Sequence, residues 1–327
     1  MEINGMKLYL VIPCYNEQEV LTETAKQTSL KLRELMAAGK IDDRSRICFV
    51  DDGSKDKTWE LIEELCAADS IFCALKLSRN KGHQNALLAG LMSVKDLCDA
   101  AISLDADLQD DINAIDAMVD KYTEGCDVVY GVRSSRKTDK LFKRTTARAF
   151  YKLMRTMGVE TVYDHADYRL MSHRALEALA SFDEVNLFLR GLVPLVGFKS
   201  DVFEYERNKR YAGKSKYPLK KMFAFAFEGI TSMSIKPIRM ISALCFMIFA
   251  ASIGMLIYSL IRHFTGNPVE GWTSIVVSVW AVGGLQLLAI GVIGEYIGKI
   301  YLETKHRPKY IIDAKRNLGE NGDQNGK

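Results

Sequence analysis

Ser103-Leu104-Asp105-Ala106-Asp107-Leu108-Gln109-Asp110 is the stretch on which the fold turns. An apolar run from Ala100 to Leu104 ends in carboxylates at alternate positions. In a strand, residues i and i+2 face the same side, so Asp105 and Asp107 converge where the strand ends. Open α/β sheets bind their ligands at the carboxyl ends of their strands. Two carboxylates there suit a hard divalent cation that completes its coordination with phosphate oxygens. An Asp-x-Asp triplet alone is a weak signal, and its weight comes from its surroundings.

Outward from this stretch, strand and helix patterns alternate. Lys7 to Ile12 reads as a strand and Glu17 to Ala38 as a helix; Arg46 to Val50 and Thr58 to Ala67 repeat the pair, as do Ile71 to Leu77 and Asn85 to Val94. A helix over Ile112 to Tyr122 and a strand over Asp127 to Val132 follow the acidic stretch. The alternation predicts an α/β fold, a mostly parallel sheet wrapped by helices on both faces. No Gly-x-Gly-x-x-Gly joins these strands to helices, which disfavours a dinucleotide fold. Beyond Val132 the pattern loosens. Ser134 to Lys143 is polar and basic and reads as a loop, with helical stretches around Arg144 to Met157, Arg174 to Ser181 and Phe188 to Val196.

Two long runs without charge come next, Ile241 to Ile261 and Trp272 to Gly294. As a helix, either spans roughly 30 Å of hydrocarbon at about 1.5 Å per residue. Two buried core helices are the competing reading; the short polar turn between the runs favours a transmembrane hairpin. Lys220, Lys221, Lys236 and Arg239 precede the first run, and Lys299, Lys305, Arg307 and Lys309 follow the second, whereas the turn from Arg262 to Gly271 holds a single Arg. The positive-inside rule then puts the large domain and both termini in the cytoplasm. The expected location is the inner (plasma) membrane, with a multi-pass anchor. Tyr217 to Ser234 mixes Lys220 and Lys221 with Met222, Phe223, Phe225 and Phe227, and reads either as an amphipathic helix in the membrane interface or as an ordinary docking helix. The expected division is an α/β domain over 1–216, an interfacial helix over 217–237, a hairpin over 238–300 and a tail over 301–327. From Asn317 the tail is polar and Gly-rich, a composition of disordered segments.

The 327 residues carry a formal net charge of +3, uninformative as a total; its concentration near the apolar runs suits an anionic membrane surface. Cysteines at 14, 48, 66, 73, 98, 126 and 245 are scattered without a Cys-x-x-Cys pair. That pattern argues for reduced thiols and against a disulfide frame or zinc site. Leu8 to Pro13 is too short for a secretory signal and reads as a strand.

Further clusters sit where the sheet puts strand ends: Val11-Ile12-Pro13-Cys14-Tyr15-Asn16-Glu17 and Val50-Asp51-Asp52-Gly53-Ser54-Lys55-Asp56-Lys57-Thr58. In the second, Gly53 permits a tight turn and Asp56 fits an N-cap for the next helix. Asp51 or Asp52 is placed to accept hydrogen bonds from a base or ribose. Together with Ser78-Arg79-Asn80-Lys81-Gly82-His83-Gln84 and Leu104 to Gln109, these segments resemble the family 2 glycosyltransferases with the GT-A fold. Asp167-Tyr168-Arg169-Leu170, Gly213-Lys214-Ser215-Lys216-Tyr217 and Gly294-Glu295-Tyr296-Ile297-Gly298-Lys299-Ile300-Tyr301 ahead of Arg307-Pro308 narrow the resemblance. They are similar to the polyprenyl-phosphate glycosyltransferases, bacterial relatives of dolichol-phosphate mannose synthase. The resemblance runs from about Lys7 to Tyr310.

It implies roles position by position. Pro13, Tyr15 and Glu17 would line the nucleotide pocket with Asp51 and Asp52. Asp105 and Ala106 would contact the nucleotide sugar, and Asp107, with Asp105 and Gln109, would hold Mg²⁺ or Mn²⁺ on the diphosphate. Arg133, Asp167, Arg169, Arg190, Arg210, Lys214, Ser215 and Lys216 fall in segments that face the sugar or the acceptor phosphate, with Asp107, Asp167 and Arg169 as the catalytic set. The implied partners are a nucleotide-diphosphate sugar (UDP-glucose or UDP-N-acetylglucosamine foremost, GDP-mannose or a modified arabinose also open), a polyprenyl phosphate, the membrane, and a second copy through the membrane region. Nucleic acid is not among them. The lipid-linked sugar would serve cell-envelope glycosylation. Asp110-Asp111 stands where the family often has a Pro-containing pair, which blurs which carboxylates reach the metal. His83 reads as a cap or packing residue of the following helix, His165 as structural, and Gly294 and Gly298 as a helix-packing pair.

The implied chemistry needs these residue types. A nucleoside diphosphate leaves poorly until its charge is neutralised, which a divalent metal does as a Lewis acid. A lipid phosphate with a second pKa of about 6 is already a charged nucleophile at neutral pH, and needs positioning more than deprotonation. Inversion by a single in-line displacement follows. Asp167 is then either a base or a sugar-orienting group. A processive polysaccharide synthase would carry Gln-x-x-Arg-Trp, yet none of Trp59, Trp272 and Trp280 follows an Arg. A membrane-tethered scaffold would not need the carboxylates.

Overall fold

Strand β1 (Leu8–Cys14) is buried along its whole length, as a strand covered on both faces of a parallel sheet must be. Its alternate side chains part into two cores. Leu8, Leu10 and Ile12 join Ile47, Phe49 and Ile102 on one face, and Tyr9 and Val11 join Cys48, Val50, Leu75 and Ala101 on the other. The computed structural model describes residues 5–133, 156–157, 165–205, 230–265 and 271–319. Its described strands form one sheet of eight, in the order β7-β5-β6-β4-β1-β2-β3-β8.

The middle of the sheet is parallel. β2 (Arg46–Asp51), β3 (Phe72–Leu77) and β4 (Ala100–Ser103) all run with β1. Between them lie α1 (Leu21–Ala37), α2 (Thr58–Ala68) and α3 (His83–Val94), and α4 (Ala114–Thr123) follows β4. In α1 the buried Leu21, Ala25, Thr28, Leu32 and Leu35 recur every three or four residues, the stripe that docks a helix on a sheet. α3 lies so close to β1 and β2 that a Cβ at Gly90 would stand 2.4 Å from Val11 Cγ1 and 2.7 Å from Val50 Cγ2.

Two strands reverse the polarity. β6 (His165–Ser172) runs antiparallel between β4 and β5 (Val128–Arg133), and β8 (Ile312–Arg316) antiparallel on the outer edge of β3. β7 (Ser200–Tyr205) pairs with β5 in parallel. α5 (His173–Ala180) and α6 (Leu189–Leu195) lie between β6 and β7. The tail is therefore structured as far as it is described: β8 completes the sheet, Leu318 packs against the core, and the Asn317 amide donates to the Cys66 and Phe72 carbonyls.

The apolar runs are long helices, α7 (Lys236–Phe264) and α8 (Trp272–Thr304). Both are long and apolar enough to cross a membrane, and in neither is the most apolar stretch buried. Phe246 and Leu287, for example, stand 71% and 72% exposed, which dismisses the core-helix reading for the described residues. α8 continues well beyond the uncharged run that ends at Gly294. Charge limits what hydrocarbon accepts but does not stop a helix; the stop comes at His306, with φ of +45°, ahead of Arg307-Pro308, where proline disfavours helix in the preceding residue. Most of the segment expected as an interfacial helix lies outside the described residues. Of its described residues Ile230 and Thr231 are buried, Ile230 packing with Phe188, Met157 and Met233, whereas Ile235 is exposed.

Candidate functional site

The carboxyl ends of β1, β2, β3 and β4 open on one edge of the sheet, and the loops that leave them are tied to one another. After β1, Asn16 N–H donates to Ser54 Oγ and Asn16 Oδ1 accepts from Lys55 N–H. Glu17 N–H donates to Thr58 Oγ1. Asp56 accepts from the N–H and hydroxyl of Thr58, a turn ahead of α2. Pro13 is buried opposite Val50, whereas Tyr15 is 40% exposed on the open edge.

Asp51 and Asp52, expected at the nucleotide, stand at the end of β2 as carboxylates that accept from the backbone of neighbouring loops. Both are buried, at 0% and 3% exposure. Asp51 accepts from Ser54 N–H. Asp52 accepts from Lys81 N–H at 2.7 Å and Gly82 N–H at 2.9 Å, so it shapes the loop that delivers His83. Burial pushes both carboxyls up. Between them and Ser54, Gly53 holds φ of +66°, and a Cβ there would stand 2.7 Å from the backbone of Arg79 and Asn80.

The acidic stretch keeps the strand alternation past the end of β4. Leu104, Ala106, Leu108 and Asp110 are buried, while Asp105, Asp107 and Gln109 are half-buried, so the three expected ligands are the accessible residues of the stretch. Asp107 Oδ1 accepts from Gln109 N–H at 3.2 Å, in a turn where Leu108 has φ of +55°. Ala106, expected at the sugar, is buried, and its carbonyl accepts from Thr24 Oγ1 on α1. The second acidic pair splits. Asp110 faces inward and accepts from the Tyr205 hydroxyl; Asp111 accepts from Asn113 N–H and its carbonyl from the Tyr168 hydroxyl.

β6 brings the second half of the site. Because it runs antiparallel to β4 with Ser103 opposite Arg169, its first residues meet the last ones of β4. Ser103 Oγ donates to the Asp167 carbonyl. The Asp167 carboxylate takes Arg169 Nη2 at 2.6 Å, Arg190 Nε at 3.3 Å and Arg190 Nη2 at 3.1 Å, with His83 Nδ1 at 4.0 Å. His83 Nε2 lies 3.0 Å from Asp105 Oδ1. The imidazole thus bridges the two carboxylates, a placement that the sequence reading of His83 as a packing residue missed. The signal available was its position directly after Gly82 (φ +86°) in the Ser78 to Gln84 segment.

These contacts fix the charges. Burial alone would raise the Asp167 carboxyl, but Arg190, Arg169 and His83 outweigh it and hold the group well below the usual carboxylate range. Desolvation works against a charged His83, and the Asp105 hydrogen bond and both carboxylates more than offset it, raising its pKa. Arg169, expected to face sugar or phosphate, instead lies beneath Asp167 at 1% exposure, with Nη1 on the Leu189 carbonyl at 3.4 Å. Arg190 keeps 31% of its side chain exposed. Arg133 ends β5, and its side chain lies outside the described residues, as do Arg210, Lys214, Ser215 and Lys216.

Residues 9–180 match the family model described as Glycosyl transferase family 2. The uncharacterized glycosyltransferase YkoT of Bacillus subtilis is 53% identical over 94% of this chain and 91% of its own length. The bactoprenol glucosyl transferase of Shigella phage SfV is 42% identical over 94% and 98%. Among solved structures, mannosyl-3-phosphoglycerate synthase from Rubrobacter xylanophilus covers 68% of this chain and 71% of its own at 15% identity and a TM-score of 0.45, too distant a likeness to add an argument. On its matched domain and on relatives that align nearly end to end, this chain belongs to glycosyltransferase family 2.

Proposed function

We propose that the chain moves glucose from a nucleoside-diphosphate sugar, UDP-glucose in the first instance, onto the phosphate of bactoprenol at the cytoplasmic face of the inner membrane. One observation carries the reading. The match to a bactoprenol glucosyl transferase takes in 94% of this chain, too much for both apolar helices to fall outside it. α7 and α8 would be the anchor, with Lys236 and Arg239 at one end and Lys305, Arg307 and Lys309 at the other set against anionic lipid.

Asp105, Asp107 and Gln109 fit Mg²⁺ or Mn²⁺ by donor chemistry, being half-buried oxygen ligands close together in sequence. Among the described residues no group of three His, Cys, Asp or Glu forms a cage, so diphosphate oxygens would complete the shell. Such an ion, when bound, supplies Lewis-acid neutralisation of the leaving diphosphate. Asp167 acts as an orienting group and not as the base: a carboxylate held this low is a feeble proton acceptor, whereas a general base works best with a pKa near the operating pH. Asp167 in turn fixes Arg190, the partly exposed guanidinium that would grip the acceptor phosphate through paired hydrogen bonds. Arg133, Arg210, Lys214, Ser215 and Lys216 stay candidates for the same phosphate or the sugar. A phosphate oxygen bonds to the anomeric carbon as the bond to the diphosphate breaks, inverting that centre.

The test offers the purified chain undecaprenyl phosphate with radiolabelled UDP-glucose, UDP-N-acetylglucosamine or GDP-mannose. Glucose label entering the lipid fraction, and vanishing with a chelator, is the expected result. No label from any donor would overturn the reading, another sugar would correct the donor, and transfer that survives chelation would remove the metal.

A further inference from the structure

We propose that Glu303, at the carboxyl end of α8, is a positioning residue for the transfer reaction and holds Arg190 in place from a distance; this rests on the function proposed above. The Glu303 carboxylate accepts from Val185 N–H at 2.8 Å through Oε2, and from Asn186 N–H at 2.8 Å and Asn186 Nδ2 at 2.7 Å through Oε1. Three donors on two successive residues converge on one group. An ionised carboxylate, with two oxygens and no hydrogen to present, satisfies all three; an amide would turn its own NH₂ toward one of them.

The loop so gripped leads directly into α6. That helix has only seven residues and holds Pro194, and so short a helix does not hold itself together. Its start is fixed from outside by two side chains. Glu303 pins residues 185 and 186, and Gln84, the neighbour of His83 on α3, accepts from Leu189 N–H at 2.8 Å. Arg190 is the next residue, and its guanidinium lies on Asp167. The Leu189 carbonyl meanwhile receives Arg169 Nη1. Displacing residues 185–189 therefore displaces Arg190, whereas Arg169, on β6 and held by Asp167 at 2.6 Å, stays with the sheet.

The grip belongs to a whole face of α8. Tyr296, Lys299 and Glu303 are spaced by three and four residues and so share one side of the helix. The Tyr296 hydroxyl donates to the Ser234 carbonyl. Lys299 Nζ donates to Thr231 Oγ1 at 2.6 Å and Ser232 Oγ at 2.8 Å. Just beyond, Lys309 Nζ donates to the Phe182 carbonyl at 2.9 Å. The apolar helix thus docks on residues 231–234 and on the loop ahead of α6, where the Lys299 carbonyl also accepts from Asn186 Nδ2 at 3.4 Å; of the Tyr296, Lys299 and Glu303 side chains, Glu303 is the one that holds the loop leading to Arg190.

The experiment compares wild type, Glu303→Ala, Glu303→Gln, Arg190→Ala and the Glu303→Ala/Arg190→Ala pair, each as the full chain in nanodiscs. Two readouts are taken: amide hydrogen exchange over residues 185–195, and kcat and KM for the nucleotide sugar. Glu303→Ala is expected to speed exchange across that segment and to lower kcat about 10- to 100-fold, the scale of a misplaced positioning contact, with KM for the donor within about twofold. Glu303→Gln, which keeps one acceptor oxygen, should fall between and carries the same test if the Ala variant does not fold. Because Glu303 acts through Arg190, the double variant should be no slower than Arg190→Ala alone. Wild-type kcat in both Glu303 variants, losses that multiply in the pair, or unchanged exchange would each overturn the proposal. If wild type transfers no sugar, the proposed function fails by itself and the exchange measurement still decides whether Glu303 anchors α6.

Discussion

Replacing Asp167 with Asn removes the negative charge on which two guanidiniums converge while keeping the shape of the side chain. Arg169 is then left at 1% exposure with no carboxylate. Removing one partner of a buried ion pair costs about 3–5 kcal/mol, because the other charge stays buried. Arg190, with 31% of its side chain exposed, recovers hydration and adds less than about 1 kcal/mol. The Asn oxygen can still accept from Arg169 Nη2, which sets the expected loss near the lower end, about 3 kcal/mol. At about 2–4 °C per kcal/mol for a domain of this size, the melting midpoint should fall by about 6–12 °C. The pH dependence is the sharper test. Folding lowers the Asp167 pKa, so its contribution is complete above the unfolded value of about 3.9 and is lost only as pH falls from there toward the folded value. Thermal unfolding of the full chain, followed by tryptophan fluorescence, should show a gap between wild type and Asp167→Asn that persists from about pH 8 to pH 5, widening as His83, whose charge Asp167 favours, becomes protonated, and narrows only below about pH 4. A gap that closes by about pH 6, or a variant as stable as wild type, would refute the clamp.

Asp107→Asn is expected to lower transfer at least about a hundredfold, given the several kcal/mol a Lewis acid contributes, with a melting midpoint close to wild type; retained, metal-stimulated transfer would count against its role. Gly53→Ala should destabilise by about 1–3 kcal/mol, through a left-handed φ and collision with the Arg79 and Asn80 backbone, read as a lower denaturant midpoint with an unchanged slope. Burial pushes the Cys66 and Cys98 thiols up to about 12, so at pH 8 neither should take iodoacetamide in the native chain and both should in urea. Mass spectrometry finding either alkylated under native conditions would show that burial does not protect them.

What the sequence revealed and what it hid follow from burial and from distance along the chain. β1 to β5 were legible because strands buried on both faces read as continuous apolar runs, and the helices between them because their apolar stripes repeat at helical spacing. β6 was not, since Asp167 and Arg169 interrupt any apolar pattern. β7, with Tyr205 its one buried side chain, and β8, an edge strand of sequence Ile-Asp-Ala-Lys-Arg, bury too little to announce themselves. At the site, the alternation of Asp105, Asp107 and Gln109 could be read directly from its period of two. The inward turn of Asp51, Asp52 and Arg169 could not, because a carboxylate or guanidinium that shapes a loop has the same local sequence as one that meets a ligand. Glu303 was out of reach altogether: its partners lie 117 and 118 residues away, and only the fold brings them together.

The acidic residues around the sheet edge divide by how deeply each is buried, and that division sorts structural from chemical roles. Asp167 is matched by two guanidiniums, Asp52 by two backbone N–H groups, Asp51 by Ser54 N–H and Asp110 by a tyrosine hydroxyl. Each is at most 12% exposed, where an uncompensated charge is costly. Asp105 and Asp107 hold partners too, His83 and the Gln109 N–H, but both stay half-buried between buried neighbours. Neutralising Asp167, whose charge the two guanidiniums favour, should therefore register in stability as well as in transfer, and neutralising Asp107 mainly as lost transfer. The reversed strand β6 makes that sorting possible. Had it run parallel to β4, its start would lie at the opposite edge, and Asp167 could not bring Arg190 to the end of β4 where Asp105 stands. The same reversal sets α6 within reach of the carboxyl end of α8, so one change of strand direction joins the carboxylates of the sheet to the helix expected to lie in the membrane.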